Sequence, residues 1–358
     1  MTPPILNGRF LTRPLTGVDR FAIELMDAYV AALPAGAPAP SVMTPGAPLV
    51  SQPAFLGRCE RISVGGRQGH LWEQIDLPRS ADEAPLLNLC NTAPALRRQQ
   101  MVVVHDAATV ANPGNYSLAF RTWYRLMLGG ALKRSRVVAT VSAFSAGELN
   151  RHFGRALKSI EVIPESGEHI LREAADTSTL QRLGLANRAF VLAVGSQSPN
   201  KNFGAVVAAM AQLGADAVPL VAVGGGNSRV FAQSSAPDSG IVRTGYVSDA
   251  QLRALYEAAS CFVFPSFYEG FGLPPLEAMT CACPVIVSQC ASMPEVCGDA
   301  ALYCDPHAPA SLAAQLRRVL GSEQLRAELK AAGAARAAEF TWARAAGVFD
   351  DILQRNFA

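Results

Sequence analysis

An apolar strand gives way to a glycine-containing loop and then to a helix in the stretch Phe264-Pro-Ser-Phe-Tyr-Glu-Gly-Phe-Gly-Leu-Pro-Pro-Leu-Glu277. Pro274 and Pro275 suit the first turn of a helix. Gly270 and Gly272 allow the backbone to approach a ligand closely. Since the N–H groups and the positive dipole end of a helix start attract anions, this stretch predicts a phosphate-binding site.

Two carboxylates, Glu269 and Glu277, bracket this predicted anion site. A carboxylate does not bind phosphate, so the pair is suited to hydroxyl groups such as those of a sugar and a ribose. The alternative is a helix-start carboxylate next to an unrelated surface glutamate.

Strands and helices alternate along the chain up to this stretch. The predicted strands are 5–11, 101–104, 137–141, 160–163, 190–194, 219–223 and 261–264. A helix is predicted over 18–33, an irregular loop over 34–53, and Ser145 is predicted to cap a helix that begins near Ala146. Alternation of this kind predicts an α/β protein with parallel sheets covered on both faces.

Length and composition narrow the class of protein. A chain of 358 residues favours two domains. With half of its residues apolar, 17% charged and a net charge of +2, it is not typical of disordered, collagen-like or strongly basic nucleic-acid-binding proteins. We therefore expect no nucleic-acid partner.

Targeting and redox signals point to a cytoplasmic location. Mean hydropathy is +0.18, but no apolar run approaches the ~20 residues of a spanning helix. The N-terminus lacks the pattern of a secretory signal. The eight cysteines form no C-x-x-C pair, so we expect reduced thiols and no zinc site.

The Glu269 to Glu277 spacing, with Gly270-Phe271-Gly272-Leu273 inside it, resembles the E-x7-E signature of retaining glycosyltransferases of family four. The resemblance covers nearly the whole chain and implies the GT-B fold, which has two Rossmann-like domains with parallel sheets facing a cleft. It implies an acceptor-side domain over 1–166, with a closing helix over 340–358 packed back on it, and a nucleotide-sugar-binding domain over 167–339.

Other segments carry the same resemblance: Thr16-Gly17-Val18, His105-Asp106, Gly195 to Asn202, and Gly245-Tyr246-Val247. It implies that Lys201 neutralises the leaving diphosphate, that Glu269 holds sugar hydroxyls and that Glu277 holds the ribose. The implied donor-site residues also include Gly17, Ser196, Asn202, Tyr246, Gly270, Phe271, Gly272 and Leu273. For Tyr246 a place in the core is an equal alternative.

His105 is implied to be a catalytic residue that faces the donor sugar and either donates to a sugar hydroxyl or orients the acceptor; a structural histidine is the alternative. Asp106 is implied to hold the acceptor, position a loop or cap a helix. The remaining histidines, His169 among them, have no partner at an informative spacing. Many family members have a second basic residue in the Lys201 loop, whereas this chain has Ser196 and Asn200 there.

The expected activity is retaining, metal-independent sugar transfer from a nucleotide-diphosphate sugar to a hydroxyl of a saccharide or lipid-linked saccharide. No cofactor is expected, and GDP-mannose with surface-polysaccharide assembly is the preferred donor and setting. Alternatives are a silent scaffold subunit, an epimerase or phosphorylase of the same fold, and a dehydrogenase, whose glycine fingerprint the Gly224-Gly225-Gly226 run lacks.

A lipid-linked acceptor would bring the first domain to the inner face of a membrane. Residues 1–166 carry 17 Lys and Arg against 12 Asp and Glu. The basic residues expected to touch anionic lipid are Arg121, Arg125, Lys133, Arg134 and Arg136. An ordinary solvated surface is the alternative.

Overall fold

The computed structural model describes residues 3–115, 117–154, 159–195, 198–214, 217–224 and 240–357. The chain divides into two compact units: unit 1 is Met1–Glu165 with Trp342–Ala358, and unit 2 is Ser166–Thr341. The domain boundaries expected from the sequence lie within two residues of these.

Unit 1 is built on a seven-stranded sheet in the order β3-β2-β1-β4-β5-β6-β7, with every neighbouring pair parallel. Its strands are β1 Ile5–Asn7, β2 Ser41–Thr44, β3 Arg61–Ser63, β4 Leu86–Asn88, β5 Gln100–Val103, β6 Val137–Thr140 and β7 Ile160–Val162. Strands buried on both faces, such as β5, consist of apolar and uncharged residues, as parallel sheets require.

Unit 2 has a six-stranded parallel sheet in the order β10-β9-β8-β11-β12-β13. Its strands are β8 Val191–Val194, β9 Leu220–Val223, β10 Ile241–Gly245, β11 Cys261–Phe264, β12 Val285–Ser288 and β13 Leu302–Cys304. Two parallel-sheet α/β units confirm the predicted fold class.

Helices cover both sheets. Those of eight or more residues in the described ranges are α1 Gly17–Ala32, α2 Leu118–Arg134, α3 Ala143–Phe153, α4 Phe203–Ala211, α5 Asp249–Ala258, α6 Leu273–Thr280, α7 Pro309–Gly321, α8 Glu323–Ala337 and α9 Trp342–Phe357. Shorter helical segments are Gly8–Thr12, Ala54–Gly57, Gly69–Leu71, Trp72–Asp76, Leu77–Ser80, Ala108–Ala111, Pro113–Asn115, Glu168–Leu171, Ser178–Arg182, Pro199–Lys201, Met293–Cys297 and Gly298–Ala300.

The last helix of the chain completes unit 1. The ring of Phe349 on α9 meets the ring of Tyr29 on α1 edge-on, with centroids 5.1 Å apart. Trp342 contacts Phe21 in the same way at 6.0 Å. Because Phe21 and Phe349 have no exposed surface, α9 is a structural part of the unit 1 core.

Three local predictions were wrong. The first strand ends at Asn7 and a helical turn follows it, rather than a strand to residue 11. The predicted loop 34–53 contains β2, whose four residues are too short for a periodic signal between prolines. Ser142 rather than Ser145 caps α3: the Ser145 N–H donates to Ser142 Oγ, and the Ser145 hydroxyl donates to the carbonyl of His105.

The eight cysteines are free thiols. Burial raises the pKa of four of them to about 12: Cys261, Cys281, Cys297 and Cys304. Among the described residues, no helix combines the length and apolarity needed to cross a bilayer.

Candidate active site

Lys201 and Glu269 are in direct contact in unit 2. Lys201 ends the short helical turn that follows β8, and its Nζ lies 2.7 Å from Glu269 Oε1 in the loop after β11. The ammonium also lies 4.9 Å from the ring centroid of Phe264. The two side chains are 22% and 14% exposed, so the pair is partly desolvated and still accessible to a ligand.

Asparagine side chains fasten the Lys201 loop to its neighbours. The side-chain amide of Asn200 donates to the carbonyl of Tyr268, and the backbone carbonyl of Asn200 accepts from the Phe267 N–H. Asn202 adopts a left-handed backbone with φ of +55°, which asparagine tolerates, and donates to the carbonyls of Pro265 and Pro306. Asn202, predicted to touch the donor, therefore uses its amide group to hold these loops.

The loop before α6 is held in one conformation. Gly272 has φ of +119°, and a Cβ there would lie 2.4 Å from Met293 Cε. Ser292 Oγ lies 3.0 Å from the Glu269 carbonyl and 2.5 Å from that of Phe271. Only glycine fits position 272, which is where the chain turns into the helix.

The start of α6 presents few but well-placed donors. The first turn of a helix has N–H groups without intrahelical acceptors. Pro274 and Pro275 have no N–H, and the Leu276 N–H donates to the Gly272 carbonyl, so in this first turn it is Leu273 whose N–H has no intrahelical acceptor. Phe271, a predicted donor-site residue, is buried against the ring of Phe340, with centroids 5.8 Å apart.

Glu277, on α6, makes hydrogen bonds with two buried side chains. The Nε2 of His169 lies 2.9 Å from Oε1, and the Tyr256 hydroxyl donates to Oε2 at 3.1 Å. Burial, together with the nearby carboxylate, raises the pKa of Tyr256 well above its ordinary value. Tyr256 therefore remains a neutral donor.

Sequence reasoning missed His169. It lies 108 positions from Glu277, so no spacing rule connects the two, and the histidine was expected to be a structural or surface residue. Its burial, and its place opposite one of the two signature carboxylates, are visible only in three dimensions.

Tyr246 and Ser196 are the remaining predicted donor residues of unit 2. Tyr246 is 86% exposed, which rules out the alternative of a core aromatic. Gly224 has φ of +134°, and a Cβ there would lie 2.1 Å from the Gly195 carbonyl oxygen, so the glycine is required for this close approach. Ser196 and Gly225-Gly226 lie outside the described residues.

In unit 1, His105 is fully engaged by protein groups. Its Nε2 lies 3.0 Å from the Leu89 carbonyl, and its Nδ1 lies 3.2 Å from Glu165 Oε1. The ring packs edge-on against Phe21, and the residue is 4% exposed. Both ring nitrogens have protein partners, as in a structural histidine, and the contact of His105 with a sugar or an acceptor stays a prediction.

Asp106 and Gly17 occupy helix starts in the same unit. Asp106 Oδ1 accepts from the Ala108 N–H at the start of the short helix Ala108–Ala111, although the N-cap residue of that helix is Ala107. Helix capping was one of the three roles open for Asp106. Gly17 is the first residue of α1, it is exposed, and nothing lies within 4 Å of the position its Cβ would take.

A buried carboxylate at the carboxyl end of β1 organises this part of unit 1. Glu73 accepts hydrogen bonds from Asn7, Thr92 and Arg9 at 2.9, 2.8 and 3.3 Å. Burial by itself raises the pKa of Glu73, but hydrogen bonds from His70, Thr92 and Asn7 and the Arg9 charge bring it below its ordinary value. Glu73 is therefore a charged structural centre.

Comparison with known proteins identifies the family of unit 2. Residues 178–336 match the family model described as Glycosyl transferases group 1. Residues 178–336 are a group 1 glycosyltransferase domain. This domain contains Lys201, Glu269 and Glu277, and the match confirms the family expected from the sequence.

A curated relative covers part of both units. The chain is 34% identical over 249 residues to O-antigen chain mannosyltransferase B of Escherichia coli. The match covers 66% of this chain and 65% of that protein, so the chain spans just under two thirds of the relative's length.

Solved structures show that the fold around the glycosyltransferase domain is shared along the whole chain. Sucrose-phosphate synthase from Thermosynechococcus elongatus superposes with a TM-score of 0.77 at 19% identity, covering 99% of both chains. Anabaena HepE, solved in complex with UDP-glucose, superposes with a TM-score of 0.76 at 18% identity over 98% of both chains. At these identities the likeness establishes the GT-B fold and nothing finer.

Proposed function

We propose that this chain is a retaining, metal-independent mannosyltransferase. It takes the sugar from GDP-mannose and places it on a hydroxyl of a saccharide or lipid-linked saccharide during cell-surface polysaccharide assembly. The observation that carries the proposal is the 2.7 Å contact between Lys201 Nζ and Glu269 Oε1 beside the start of α6.

This contact combines the two chemistries that a nucleotide sugar needs. An ammonium has three N–H donors, so Lys201 retains two for diphosphate oxygens while Glu269 takes the third. The start of α6 adds backbone donors and a positive dipole end. Together these stabilise the charge on the leaving diphosphate without requiring a metal ion.

Glu269 serves the sugar. A carboxylate held by Lys201 keeps lone pairs for hydroxyl donors, and it carries negative charge close to the ring that develops positive charge in the transition state. Glu277 takes the ribose, and the exposed ring of Tyr246 offers a surface for the base.

Transfer breaks the bond between the anomeric carbon and the diphosphate oxygen. The acceptor oxygen forms its bond on the same face, and its proton passes to the departing phosphate oxygen. No base from unit 1 is required for this, which agrees with His105 having both nitrogens engaged.

The choice of mannose rests on the name of the Escherichia coli relative, and that of GDP on the sugar it commonly carries. HepE was solved with a uridine nucleotide, so UDP is the donor to test against GDP. The acceptor is assigned to the same class of surface saccharide by the same relative.

The test combines binding and turnover. GDP, UDP, dTDP and ADP, each with its sugars, are compared by thermal shift on the native protein and on Lys201→Ala and Glu277→Ala. A nucleotide at 100 times its Kd adds about 2.7 kcal/mol of stability. We expect GDP and GDP-mannose to stabilise the native protein and both variants to lose most of the shift.

Turnover is then measured with GDP-mannose and a mannose-containing acceptor, with and without EDTA. An α-linked product whose yield is unchanged by EDTA supports retention and metal independence. If another nucleotide stabilises the native protein and GDP does not, that nucleotide replaces GDP in the proposed donor. Binding without transfer or epimerisation would favour a scaffold subunit, and absence of any binding would overturn the donor site.

A further inference from the structure

The segment that opens unit 2 lies directly against α6. A Cβ at Gly167 would lie 2.8 Å from the backbone nitrogen of Glu277 and 2.7 Å from Thr280 Oγ1. The adjacent Ser166 is fully buried and donates its hydroxyl to the Phe340 carbonyl at 2.8 Å. Glycine at 167 is therefore what allows the short helical turn carrying His169 to approach the helix.

His169 is held at both ring nitrogens. Its Nδ1 lies 3.2 Å from the Ser166 carbonyl, which can only accept, so Nδ1 carries a hydrogen. Its Nε2 lies 2.9 Å from Glu277 Oε1, and one proton is shared between these two atoms. The side chain has no exposed surface, so the ring has no alternative partner in water.

Glu277 is thereby fixed at both oxygens, with Oε1 facing His169 and Oε2 receiving the Tyr256 hydroxyl. A carboxylate oxygen has two acceptor positions, and each oxygen retains one after these bonds. Glu277 is 8% exposed, so a small part of the residue is accessible to solvent. The remaining lone pairs are directed and preorganised, and they suit a pair of hydroxyl donors.

We propose that His169 is a positioning residue which, with Tyr256, directs Glu277 at the ribose hydroxyls and makes the site selective for ribonucleotide over deoxyribonucleotide donors. The inference rests on the proposed function, since it needs a nucleotide in unit 2. It goes further by assigning a determinant of sugar selectivity to a residue outside the signature segment.

The selectivity arises because a deoxynucleotide lacks a hydroxyl donor for the Glu277 carboxylate. A missing ribose hydroxyl would leave a buried, oriented carboxylate lone pair without a donor, and unmet polar groups of this kind are costly. If Glu277 were free to rotate, it could turn to another donor and the cost would fall. His169 therefore acts on discrimination more than on overall affinity.

Replacing His169 with Gln or with Asn distinguishes the contact of Nε2 with Glu277 from that of Nδ1 with Ser166. Gln at 169 places an amide N–H near the position of Nε2 and can still donate to Glu277. Asn at 169 places its amide near Nδ1 and cannot reach Glu277. Asn and Gln are both neutral and polar, so a difference between them reports the hydrogen bond rather than burial or charge.

The experiment measures Kd for GDP, 2′-deoxy-GDP and 3′-deoxy-GDP, or the UDP series if UDP is the nucleotide that binds. We expect the native protein to prefer the ribonucleotide by roughly tenfold or more over at least one deoxy form. His169→Asn should reduce the ratio to within about twofold, and His169→Gln should keep most of it. His152→Gln, at the His152–Glu148 pair of unit 1, is the matched control and should leave the ratio unchanged.

Each contrary result has a distinct meaning. If the native protein binds the ribonucleotide and the deoxy forms equally, or if His169→Asn discriminates as the native protein does, the inference is overturned and the proposed function stands. If no nucleotide binds the native protein, both fail. Tyr256→Phe, which removes only the donor to Oε2, should give a partial loss of the ratio.

Discussion

At the scale of single residues, the site depends on an ion pair that a substrate must share. Lys201 and Glu269 are in contact with each other, so diphosphate binding places a second anion beside the ammonium. The Glu269 carboxylate then attracts sugar hydroxyls and repels the phosphates. The two side chains are therefore expected to have opposite effects on nucleotide binding.

Replacing Lys201 with Met should weaken GDP binding about 10- to 100-fold, because charge-assisted hydrogen bonds contribute roughly 1.5–3 kcal/mol. Glu269→Gln should leave GDP binding unchanged or tighter, because it frees Lys201, and should lower kcat. Calorimetric titration and initial rates measure both. The exposed Lys330→Met is the control, and equal loss of GDP binding in both site variants would contradict this division of roles.

Residue types and local spacing carried the unit 2 site but not its partners. The local setting of Glu269, Glu277 and Gly272 could be predicted because it depends on neighbours within one strand-loop-helix segment. The contacts of His105 and His169 could not be predicted, because their carboxylate partners lie 60 and 108 positions away. For a histidine, whether its nitrogens are available depends on tertiary contacts that no local pattern reports.

At the scale of elements, α2 has two different faces. Tyr124, Leu128 and Leu132 are buried in the unit 1 core. Leu118 and Leu126 are 73% and 65% exposed. At 100° per residue, these leucines share one side of the helix with the exposed Arg125 and Lys133. Leucines flanked by cations fit an anionic lipid surface, as expected for a lipid-linked acceptor.

Reversing both charges, Arg125→Glu with Lys133→Glu, should reduce binding to vesicles containing anionic lipid by at least about tenfold, since each cation contributes roughly 1 kcal/mol. Vesicle flotation measures this, with neutral vesicles as the lipid control. Arg182→Glu with Lys330→Glu makes the same charge change in unit 2 and should have little effect. Equal binding of native protein to neutral vesicles, or none to either, would remove the membrane from the proposal.

Whether a short strand could be predicted from the sequence depended on the residues around it. The strand over 261–264 was predicted with its observed bounds because four consecutive buried residues precede a clear proline break. The Ser41–Thr44 strand was missed because it is equally short, yet lies in a region dominated by Ala, Pro and Gly. Tertiary pairing with β1 on one side and β3 on the other makes it a strand.

At the scale of the whole molecule, the two units have separate sheets and separate buried centres. Nucleotide is expected to bind unit 2, while Glu73 lies in unit 1. Stability changes introduced at these two places should therefore affect different unfolding transitions. Scanning calorimetry can test this without separating the units.

GDP should raise the melting temperature of one transition and leave the other in place. Glu73→Gln should lower the melting temperature of the unit 1 transition by roughly 5–10 °C, because weakening a buried ion pair costs about 3 kcal/mol. The folded pKa of Glu73 is depressed, so its contribution is present above about pH 4.5 and is lost as the pH falls. The difference in melting temperature between the native protein and the Glu73→Gln variant should therefore become smaller as the pH is lowered.

The exposed Glu60→Gln is the control for the charge change and should move neither transition. A single transition that responds to both GDP and Glu73→Gln would show that the units unfold together. That result would contradict their energetic independence.

The path of the chain through unit 1 also governs how the protein is made. Unit 2 is one continuous stretch, whereas unit 1 needs residues from both ends, including the buried Phe349 of α9. A ribosome therefore delivers every residue of unit 2 before it delivers the last helix of unit 1. The first part of unit 1 is made before unit 2 and is completed only after it, which leaves the α1 surface around Tyr29 uncovered until α9 has been made.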